Sequence, residues 1–593
     1  MKFLLLTPPL TQLNTPYPAT TVLKGFLESN GHPADQADLG IELVSHILTS
    51  QFLRQLFGSE LTSWQQQTLT AIDVVMRFLR GEDNTLAPRI VNRSLLPEGR
   101  RFDSLADMEW AFGTSGTEDK ARYLATLFIE DVADYIRENV DSHFDLIRYA
   151  EQIASYAPAF DEIELHLKAP ATVIDELLLS LLDSHLQQSE PDIVCLSIPF
   201  PGCLYGALRC GQYIKSRYPS VHINLGGGFP NTEWRSLTDG RIFDYCDTIS
   251  LDDGETPLLR LANNEPLVRT FIRNDSHEVV FVDHPAEPLL NTTTPSFEGL
   301  PLHLYISLAE MTNPMHRLWS NGRWNKLMMA HGCYWHRCAF CDTSLDYIGR
   351  YAAPTATQVV DHMERIAAQT GNTGFHFVDE ALPPKLLREV CEEILRRGDV
   401  FTFWGNIRFE KAYTQQLCDL MADAGCVAVS GGLEVASNRL LKLIDKGVTI
   451  EQTVNACRHF KQSGIMVHTY LMYGFPTETL QETVNALEVV RRMFDEGIVQ
   501  SAFWHRYAMT CHSPSGRNPE RYGARCADPK PHPFCNNEID WQPLEGQTDS
   551  QFDYDIEAVG DALRFATYNY MNEIGLDMPL RRWFTIKVPK PTV

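Results

Sequence analysis

The chain has 593 residues, too many for one hydrophobic core, so we expect roughly two to four domains. Its 76 acidic and 51 basic residues give a net charge of −25, and an acidic surface repels the phosphate backbone of nucleic acids. No apolar run approaches the ~18 residues of a membrane-spanning helix, and the run at 3–6 is too short for a signal peptide. Composition therefore predicts a soluble cytoplasmic protein with reduced thiols, no membrane span and no nucleic-acid partner.

The chain begins with the pattern of a parallel α/β domain. The run KFLLL predicts a buried strand that ends before Pro8 and Pro9, and a helix follows within residues 17–31. The segment 37–43 is either the next strand or its end. Helical periodicity then dominates residues 45–185, which we interpret as an insertion.

The α/β pattern resumes at DIVCLSIPF and continues through a helix near 204–218. Two further strands are predicted in HINLGGGF and DTISLDDGE. Without the insertion, residues 1–264 form a doubly wound, Rossmann-like domain, whose ligand should lie at the carboxyl ends of its strands.

Residues 265–320 contain several prolines and no sustained periodicity, which predicts a linker. Strand-like segments then alternate with helices over 321–514, and six β/α units predict a partial (β/α)6 barrel with function at the carboxyl ends of its strands. The predicted barrel strands are 326–331, 375–379, 401–407, 427–434, 465–474 and 501–507. Residues 515–593 are proline-rich up to 543 and are predicted to be mostly helical thereafter.

Three cysteines follow the first barrel strand within HGCYWHRCAFCD. Cys333, Cys338 and Cys341 have the spacing C-x4-C-x2-C, and thiolates in so short a loop can hold one metal centre. A structural zinc site would need a fourth ligand, for which His331 or His336 is available. The alternatives are zinc, three unrelated buried thiols, and an iron–sulfur cluster; the spacing on a functional rim favours the cluster.

The cluster loop, with Phe340 directly before its third cysteine and six β/α units around it, resembles the radical S-adenosylmethionine (SAM) enzymes. In that family three cysteines hold a [4Fe-4S] cluster whose open iron binds SAM, and an electron cleaves SAM to a 5′-deoxyadenosyl radical. This chain has four residues between its first two cysteines, whereas the common family spacing has three. The resemblance covers roughly residues 320–510.

The resemblance also implies which residues contact SAM, and they follow the cysteines in order, at successive strand ends. The implied contacts are Phe340, Asp379, Glu380, Arg408, Glu434 and Ser437. The two acids after the second strand would face the SAM amino group, and Arg408 its carboxylate. Structural alternatives exist for each: Asp379 can cap a helix, and Arg408 or Glu434 can form an ordinary ion pair.

The N-terminal domain resembles the cobalamin-binding fold, whose motif runs D-x-H-x-x-G, then S-x-L, then a glycine pair. The matching residues are Asp38, Ser197, Gly226, Gly227 and Gly228. Small residues at strand ends let a flat macrocycle and its nucleotide tail approach the backbone. Gly40 stands where the motif has its cobalt-ligating histidine, and His32 is misplaced for that role. We therefore expect either cobalamin without a histidine ligand or a domain that has lost the cofactor.

Together these resemblances imply a cobalamin-binding radical SAM enzyme. It would cleave SAM reductively and transfer a methyl group from methylcobalamin to an unactivated carbon of a small-molecule or peptide substrate, with an electron donor such as flavodoxin or ferredoxin. One alternative keeps both domains but catalyses a rearrangement, cyclisation or oxidation. Another is a corrinoid-binding sensor or carrier with an inactive barrel.

Several other residues attract attention near the end of the barrel. His505, Tyr507 and His512 are candidate proton donors or acceptors at its mouth, or ordinary core and capping groups. Cys511, Cys526 and Cys535 are irregularly spaced, which favours reduced thiols over a second cluster.

Overall fold

The computed structural model describes residues 1–105, 108–113, 116–146, 159–527, 532–544 and 553–593. A seven-stranded sheet organises the N-terminal part, in the order β2-β1-β3-β4-β5-β6-β7. Its strands are β1 (Phe3–Thr7), β2 (Ala34–Asp38), β3 (Ile193–Ser197), β4 (His222–Gly226), β5 (Thr248–Ser250), β6 (Thr270–Arg273) and β7 (Val279–Val282). The first five are parallel.

This strand order confirms a doubly wound sheet. Every residue of β1 is buried, as expected of a strand covered by helices on both faces. The order reverses between β1 and β3, and such a switch point opens a crevice at the carboxyl ends of the strands.

Helices enclose the first sheet and form the predicted insertion. They are α1 (Pro18–Ser29), α2 (Leu39–Ile47), α3 (Ser50–Phe57), α4 (Ser63–Leu79), α5 (Ala87–Val91), α6 (Met108–Phe112), α7 (Thr117–Asn139), α8 (Asp161–Lys168), α9 (Val173–Ser189), α10 (Leu204–Arg217), α11 (Gly228–Glu233) and α12 (Glu255–Ala262). The helical character of the insertion is confirmed for its described residues; 106–107, 114–115 and 147–158 lie outside them. The ambiguous segment 37–43 contains the end of β2, at Asp38, and the start of α2. The Asp38 carboxylate caps that helix.

The segment predicted to be a linker contains regular structure, so that prediction is wrong in part. β6 and β7 form an antiparallel hairpin that extends the first sheet. A helix, α13 (Pro314–Asn321), follows near the end of the segment. The hairpin strands have only four residues each, too few to produce the periodicity that the prediction relied on.

All six predicted barrel strands are confirmed. They are β8 (Asn325–Leu327), β9 (Gly374–Phe377), β10 (Thr402–Ile407), β11 (Cys426–Glu434), β12 (Met466–Tyr473) and β13 (Ser501–Arg506). They pair in chain order and in parallel. The first strand ends earlier than predicted because the amides of Met329 and Ala330 donate to the Asp379 carboxylate instead of continuing the sheet.

The helices of the barrel region alternate with its strands. They are α14 (Asp346–Gly349), α15 (Ala356–Thr370), α16 (Pro384–Arg397), α17 (Gln415–Asp423), α18 (Asn438–Leu443), α19 (Ile450–Gln462) and α20 (Leu480–Asp495). α13 bridges the two edge strands at their amino ends: Asn313 donates to the carbonyl just before β13, and the helix leads into β8. It therefore closes the gap that an incomplete barrel leaves.

The prediction of a mostly helical C-terminal segment is wrong for the described residues. The segment contains α21 (Pro514–Arg517), a hairpin of β14 (Ala524–Cys526) and β15 (Trp541–Pro543), and one long helix, α22 (Ile556–Met571). Residues 528–531 and 545–552 of this segment lie outside the described part. Phe534 packs against Trp234 and Phe160 of the N-terminal part. The C-terminal segment therefore contacts the N-terminal domain.

No disulfide joins any of the fourteen cysteines, all of which lie in the described part of the chain. A search of that part finds no helix with the length and apolarity needed to cross a bilayer.

Candidate active site

The three cysteines lie in a loop that leaves β8 and folds back on residues 346–352. The amide of Cys333 donates to the Ile348 carbonyl over 3.1 Å, and His331 pairs with Ala352 through two backbone hydrogen bonds. Gly332 has a φ of 71°, and a Cβ there would collide with the Arg350 carbonyl. Only glycine therefore fits this close approach.

A second contact fixes the loop to the segment after α18. The Trp335 indole donates to the Asp445 carbonyl over 2.7 Å, and its ring occupies the space where a side chain at Gly447 would lie. The Ala339 amide donates to the Ile444 carbonyl. The loop is thus held from two sides, which fixes the direction of its thiols.

Two cations flank the buried thiol of Cys338. Arg408 Nη1 lies 3.6 Å from Cys338 Sγ, and its guanidinium stacks 4.5 Å from the Trp335 ring centre. The hydrogen bond with Cys341, together with the charges of Lys446 and Arg408, lowers the pKa of Cys338 to about 6. A site that stabilises thiolate suits a metal centre, because thiolate is the form that binds metal.

The donor set fits an iron–sulfur cluster better than a single zinc ion. The ring nitrogens of His331 face Asp253 and Asp346, at 3.5 and 3.0 Å. His336 Nδ1 contacts the Cys333 carbonyl. Among the described residues, the sulfur atoms of the three cysteines do not all lie within 4.8 Å of one another. Tetrahedral Zn²⁺ would hold them about 3.8 Å apart.

Asp379, which the sequence placed on SAM, is engaged with the protein backbone. Its two oxygens accept from Met329 and Ala330 at 2.8 and 2.7 Å. Its side chain is buried, and burial raises its pKa to about 7. It thus orients the start of the cluster loop, and we assign it a positioning role.

The neighbouring Glu380 is solvent-accessible, although it lies in a recess between the two sheets. Burial of this recess, with the nearby charge of Asp342, raises the pKa of Glu380. Its charge also acts on Tyr17 of the N-terminal part. Of the two acids, Glu380 is the one whose side chain is exposed and is not bound to the backbone at the start of the cluster loop.

Glu434 and Ser437, both predicted to contact SAM, also have different surroundings in the structure. Glu434 has a φ of 60° after a bulge in β11, its carboxylate lies over Gly432, and Lys446 donates to it over 2.6 Å. Ser437 instead caps α18 and donates its hydroxyl hydrogen to Glu482 over 2.7 Å. Glu434 therefore lies beside the cluster loop, near Phe340 and Cys338, while Ser437 has no hydrogen left for a ligand.

Two structural carboxylates were missed by sequence reasoning. Glu478 accepts from the amides of Gly474 and Phe475 and from the Thr483 hydroxyl, and burial raises its pKa to about 7. It fixes the turn after β12. Asp342, directly after the third cysteine, accepts from Thr510. Glu478 follows a turn that contains Gly474, and Asp342 follows Cys341, but neither acid belongs to a motif of its own.

Four of the five predicted cobalamin residues, namely Ser197, Gly226, Gly227 and Gly228, lie at the carboxyl ends of β3 and β4. The Ser197 hydroxyl is buried and finds no hydrogen-bond partner among the described residues. A Cβ at Gly227, whose φ is 110°, or at Gly228 would approach the Ile198 and Pro199 carbonyls within 2.8 Å. Phe200, which follows Pro199, is exposed. The glycines thus let the ends of β3 and β4 pack closely, and the orphaned Ser197 hydroxyl is a polar group available to the nucleotide tail of a corrinoid.

Asp38 does not face this crevice as a ligand. It caps α2 and accepts from the Tyr305 hydroxyl over 2.7 Å, and burial raises its pKa to about 6. Gly40 lies in the first turn of α2 beneath Pro9 and Leu10. His32 contacts Asn263 at the other end of the sheet. Neither the glycine nor the histidine offers a cobalt ligand.

An ion-pair clamp joins the two sites. Asp253, in the loop after β5, and Asp346, beside the cluster loop, both contact His331 and Arg350. Arg350 lies 2.6 Å from Asp253 and 2.9 Å from Asp346. Because the guanidinium neutralises both carboxylates, this group ties the domains together and needs no bound cation.

The remaining candidates at the end of the barrel differ in their exposure to solvent. His505 is accessible at the barrel mouth, 6.1 Å from the Tyr470 ring. Tyr507 is buried and donates to Ser515, so it is a core group. Cys511 is half-buried and lies outside the cluster loop, and burial raises its pKa to about 11.

Replacing Arg408 by methionine should destabilise the protein by about 3–5 kcal/mol, because Glu410, 2.8 Å away, would keep a charge without its buried partner. Loss of the positive charge beside Cys338 should also lower the reduction potential of a bound cluster. Denaturant unfolding and a redox titration followed by EPR measure these effects. The control is Arg439→Met, whose ion pair with Glu482 is half-exposed and should cost less than about 1 kcal/mol. Equal effects of the two variants would contradict this role.

Comparison with known proteins agrees with this geometry. Residues 327–490 match the model of the radical SAM superfamily. An uncharacterised methyltransferase of Pyrococcus horikoshii is 22% identical over 54% of this chain and 68% of its own length. The anaerobic magnesium-protoporphyrin IX monomethyl ester cyclase of Rubrivivax gelatinosus is 28% identical over 54% of this chain and 56% of its own length. The chain thus spans just over half of the latter relative.

A similar fold occurs in the radical SAM methyltransferase TsrM of Kitasatospora setae, solved with tryptophan substrate and a SAM analogue. The TM-score is 0.52, with 15% identity, over 89% of this chain and 79% of that one. At this identity the likeness concerns the fold alone.

Proposed function

Residues 327–490 match the radical SAM superfamily, and on this premise we propose that the chain is a cobalamin-dependent methyltransferase that acts on an unactivated carbon. The observation that carries the proposal is the meeting of two sets of strand ends. The orphaned Ser197 hydroxyl and the glycine run lie at the end of one sheet. The three cysteines and Glu380 lie at the end of the other, and the Asp253–Arg350 contact joins them.

The cluster residues are Cys333, Cys338 and Cys341. With SAM and cobalamin bound, these groups would supply a 5′-deoxyadenosyl radical, which removes hydrogen from carbon, and a methyl group to replace it. Arg408 stabilises the thiolate of Cys338 and is buried, with its other nitrogens bonded to Glu410 and to the Lys446 carbonyl, so we assign it a positioning role in place of the predicted contact with the SAM carboxylate. Glu380 is the acceptor that we assign to the SAM amino group.

The N-terminal residues would hold the corrinoid from the other side. Gly227 and Gly228 let the end of β4 pack against the backbone of Ile198 and Pro199, and the Ser197 hydroxyl would gain from the nucleotide tail the partner it lacks among the described residues. Several apolar side chains of both domains are exposed, namely Phe200 after β3, Met328 after β8, Tyr351 after α14, and Tyr470 and Phe503 in β12 and β13. Exposed apolar groups of this kind indicate a binding surface, and here they would shield a radical from water.

The names of the relatives support this proposal and also keep one alternative. One relative and the structural neighbour are named methyltransferases, whereas the other relative is named a cyclase. The same two sites could therefore serve a rearrangement, cyclisation or oxidation. In either case we propose a reductant such as flavodoxin or ferredoxin as partner.

Product analysis after reduction with SAM separates the two functions. A methyltransferase of this kind consumes SAM in two ways, so both S-adenosylhomocysteine and 5′-deoxyadenosine should form in cobalamin-loaded protein. 5′-Deoxyadenosine without S-adenosylhomocysteine would support the non-methylating alternative. Absence of both products from protein that holds its cluster would contradict the radical function and support the sensor or carrier.

A further inference from the structure

A cavity of about 250 Å³ lies inside the barrel, between its floor and the N-terminal domain. Gln12 and Thr15 of the loop after β1 line one side. Trp319 of α13 and Trp324, just before β8, line the floor. His376, Trp404, Asn406 and Tyr470 of β9, β10 and β12 complete the wall. A cavity of ~150 Å³ can hold benzene, so this one has room for about two fused rings.

Flat rings form most of its surface. His376 stacks on Trp404 with ring centres 3.5 Å apart and planes at 9°, which fixes the indole plane from behind. Trp319 lies 6.2 Å from Trp404, with planes at 37°. Trp324 lies edge-on, 6.3 Å from Trp404. Indole faces favour stacked or edge-to-face aromatic partners over saturated ones.

Two of these indoles have an N–H group without a partner. Trp324 donates to the Leu318 carbonyl over 2.7 Å, whereas the buried Nε1 atoms of Trp319 and Trp404 find no acceptor among the described residues. A buried donor left unpaired costs about 1–3 kcal/mol. Trp319 and Trp404 are among the residues that line the cavity, and an acceptor on a ligand that reaches their N–H groups would remove this cost.

The described residues that line the cavity carry no fixed charge, and Lys326, which lies near His376, is not among them. Among the described residues that line the cavity, none is acidic, lysine or arginine. Burial lowers the pKa of His376 far below its ordinary value, and the same holds for His468 behind Trp319. Both rings are therefore neutral at physiological pH. A phosphate or carboxylate would be desolvated here without a counter-charge.

The cavity is also placed along the strand that leads to the cluster. Trp404 and Asn406 lie on one face of β10, and Arg408 follows directly after the end of the strand. At about 3.3 Å per residue, Trp404 lies roughly 13 Å below Arg408. Asn406, between them, donates to the Asp379 carbonyl. A ligand with its ring on Trp404 can thus extend a substituent upward toward the radical site.

We propose that this cavity binds the ring of the substrate, which is a flat, uncharged aromatic or conjugated heterocycle of about two fused rings with a hydrogen-bond acceptor directed at Trp319 and Trp404. The inference rests on the proposed function, since it takes the barrel interior as the substrate site. It names the chemical class of the substrate, which that proposal leaves open.

Two probes of equal shape test the inference, quinoline with a ring-nitrogen acceptor and naphthalene without one. Binding to anaerobically purified, cluster-loaded protein is measured by ligand-observed NMR titration. Quinoline should bind more tightly than naphthalene to the unchanged protein. Trp404→Phe keeps an aromatic face but removes one donor, so it should weaken quinoline about tenfold and naphthalene much less. Trp404→Leu should weaken both.

The matched control is Trp64→Phe, since the Trp64 indole N–H also lacks a partner but lies against Phe57 and Tyr135 in the helical insertion. It should change neither affinity. SAM cleavage is followed in the same samples. Protein that cleaves SAM but binds neither probe, or binds both equally before and after Trp404→Phe, would overturn the inference and leave the proposed function standing. Selective quinoline binding without SAM cleavage would support the aromatic site and contradict the proposed function.

Discussion

Replacing Cys338 by alanine is expected to remove the iron–sulfur cluster and to reduce SAM cleavage to background. The loop offers three thiols, and Cys338 is the most enclosed of them, with Arg408 and Lys446 beside it. Two remaining thiolates cannot hold a four-iron cluster that already has one open iron. Iron analysis and the visible absorbance of anaerobic protein measure the loss.

Cys511→Ala provides the matched control for this loss. Cys511 lies beyond β13, near Asp342 and outside the loop that carries the other three thiols, so it should not bind the cluster. The variant should keep the iron content and SAM cleavage of the unchanged protein. Loss of iron in Cys511→Ala, or its retention in Cys338→Ala, would show that the ligands are misassigned.

Replacing Lys326 by methionine is expected to stabilise the protein near neutral pH. Lys326 lies in β8, buried against the Tyr17 ring at 5.5 Å and near Asp38 and His376. Burial lowers its pKa from 10.5 to about 7. Because the unfolded chain binds this proton more tightly, the free energy of unfolding should rise as pH increases from about 7 to 10. The lowered pKa corresponds to about 5 kcal/mol of penalty below pH 7.

The test compares thermal unfolding at pH 7 and pH 9.5. Lys326→Met should raise the melting temperature at pH 7 and should weaken the gain that the unchanged protein shows at pH 9.5. Lys385→Met is the control, because the Lys385 side chain is 91% exposed and its charge costs little. Parallel pH curves for Lys326→Met and the unchanged protein would show that Lys326 stays charged in the folded state.

The sequence predicted the two sheets because their strands are long apolar runs that alternate with amphipathic helices. It also located the cysteine loop, whose spacing is local. It missed the β6–β7 hairpin, although the run VVFV after Asn274 and Ser276 was a usable signal for a strand after a turn.

The roles of individual acids could not be predicted in the same way. Asp379 and Glu380 are adjacent, and only the bend of the chain after β8 decides which of them meets the backbone and which faces the recess. Likewise, Ser437 matched a binding segment, but its hydroxyl is used by α18 and Glu482. Local patterns identify strand ends, while side-chain direction depends on neighbours distant in sequence.

Contacts between distant segments were beyond sequence reasoning altogether. The clamp joins Asp253 to Arg350 across 97 positions, and the aromatic cavity combines side chains from the first loop, α13 and three barrel strands. None of these residues forms a motif with the others. Their proximity follows only from packing the two domains face to face.

The iron and cobalt content of the chain, purified without oxygen from cobalamin-supplied cells, tests the two-cofactor account most directly. We expect about four irons and one cobalt per chain. A Ser197→Val variant should contain less cobalt and the same amount of iron. Iron without cobalt would contradict the cobalamin site and leave only the radical chemistry. Zinc in place of iron would contradict the account as a whole.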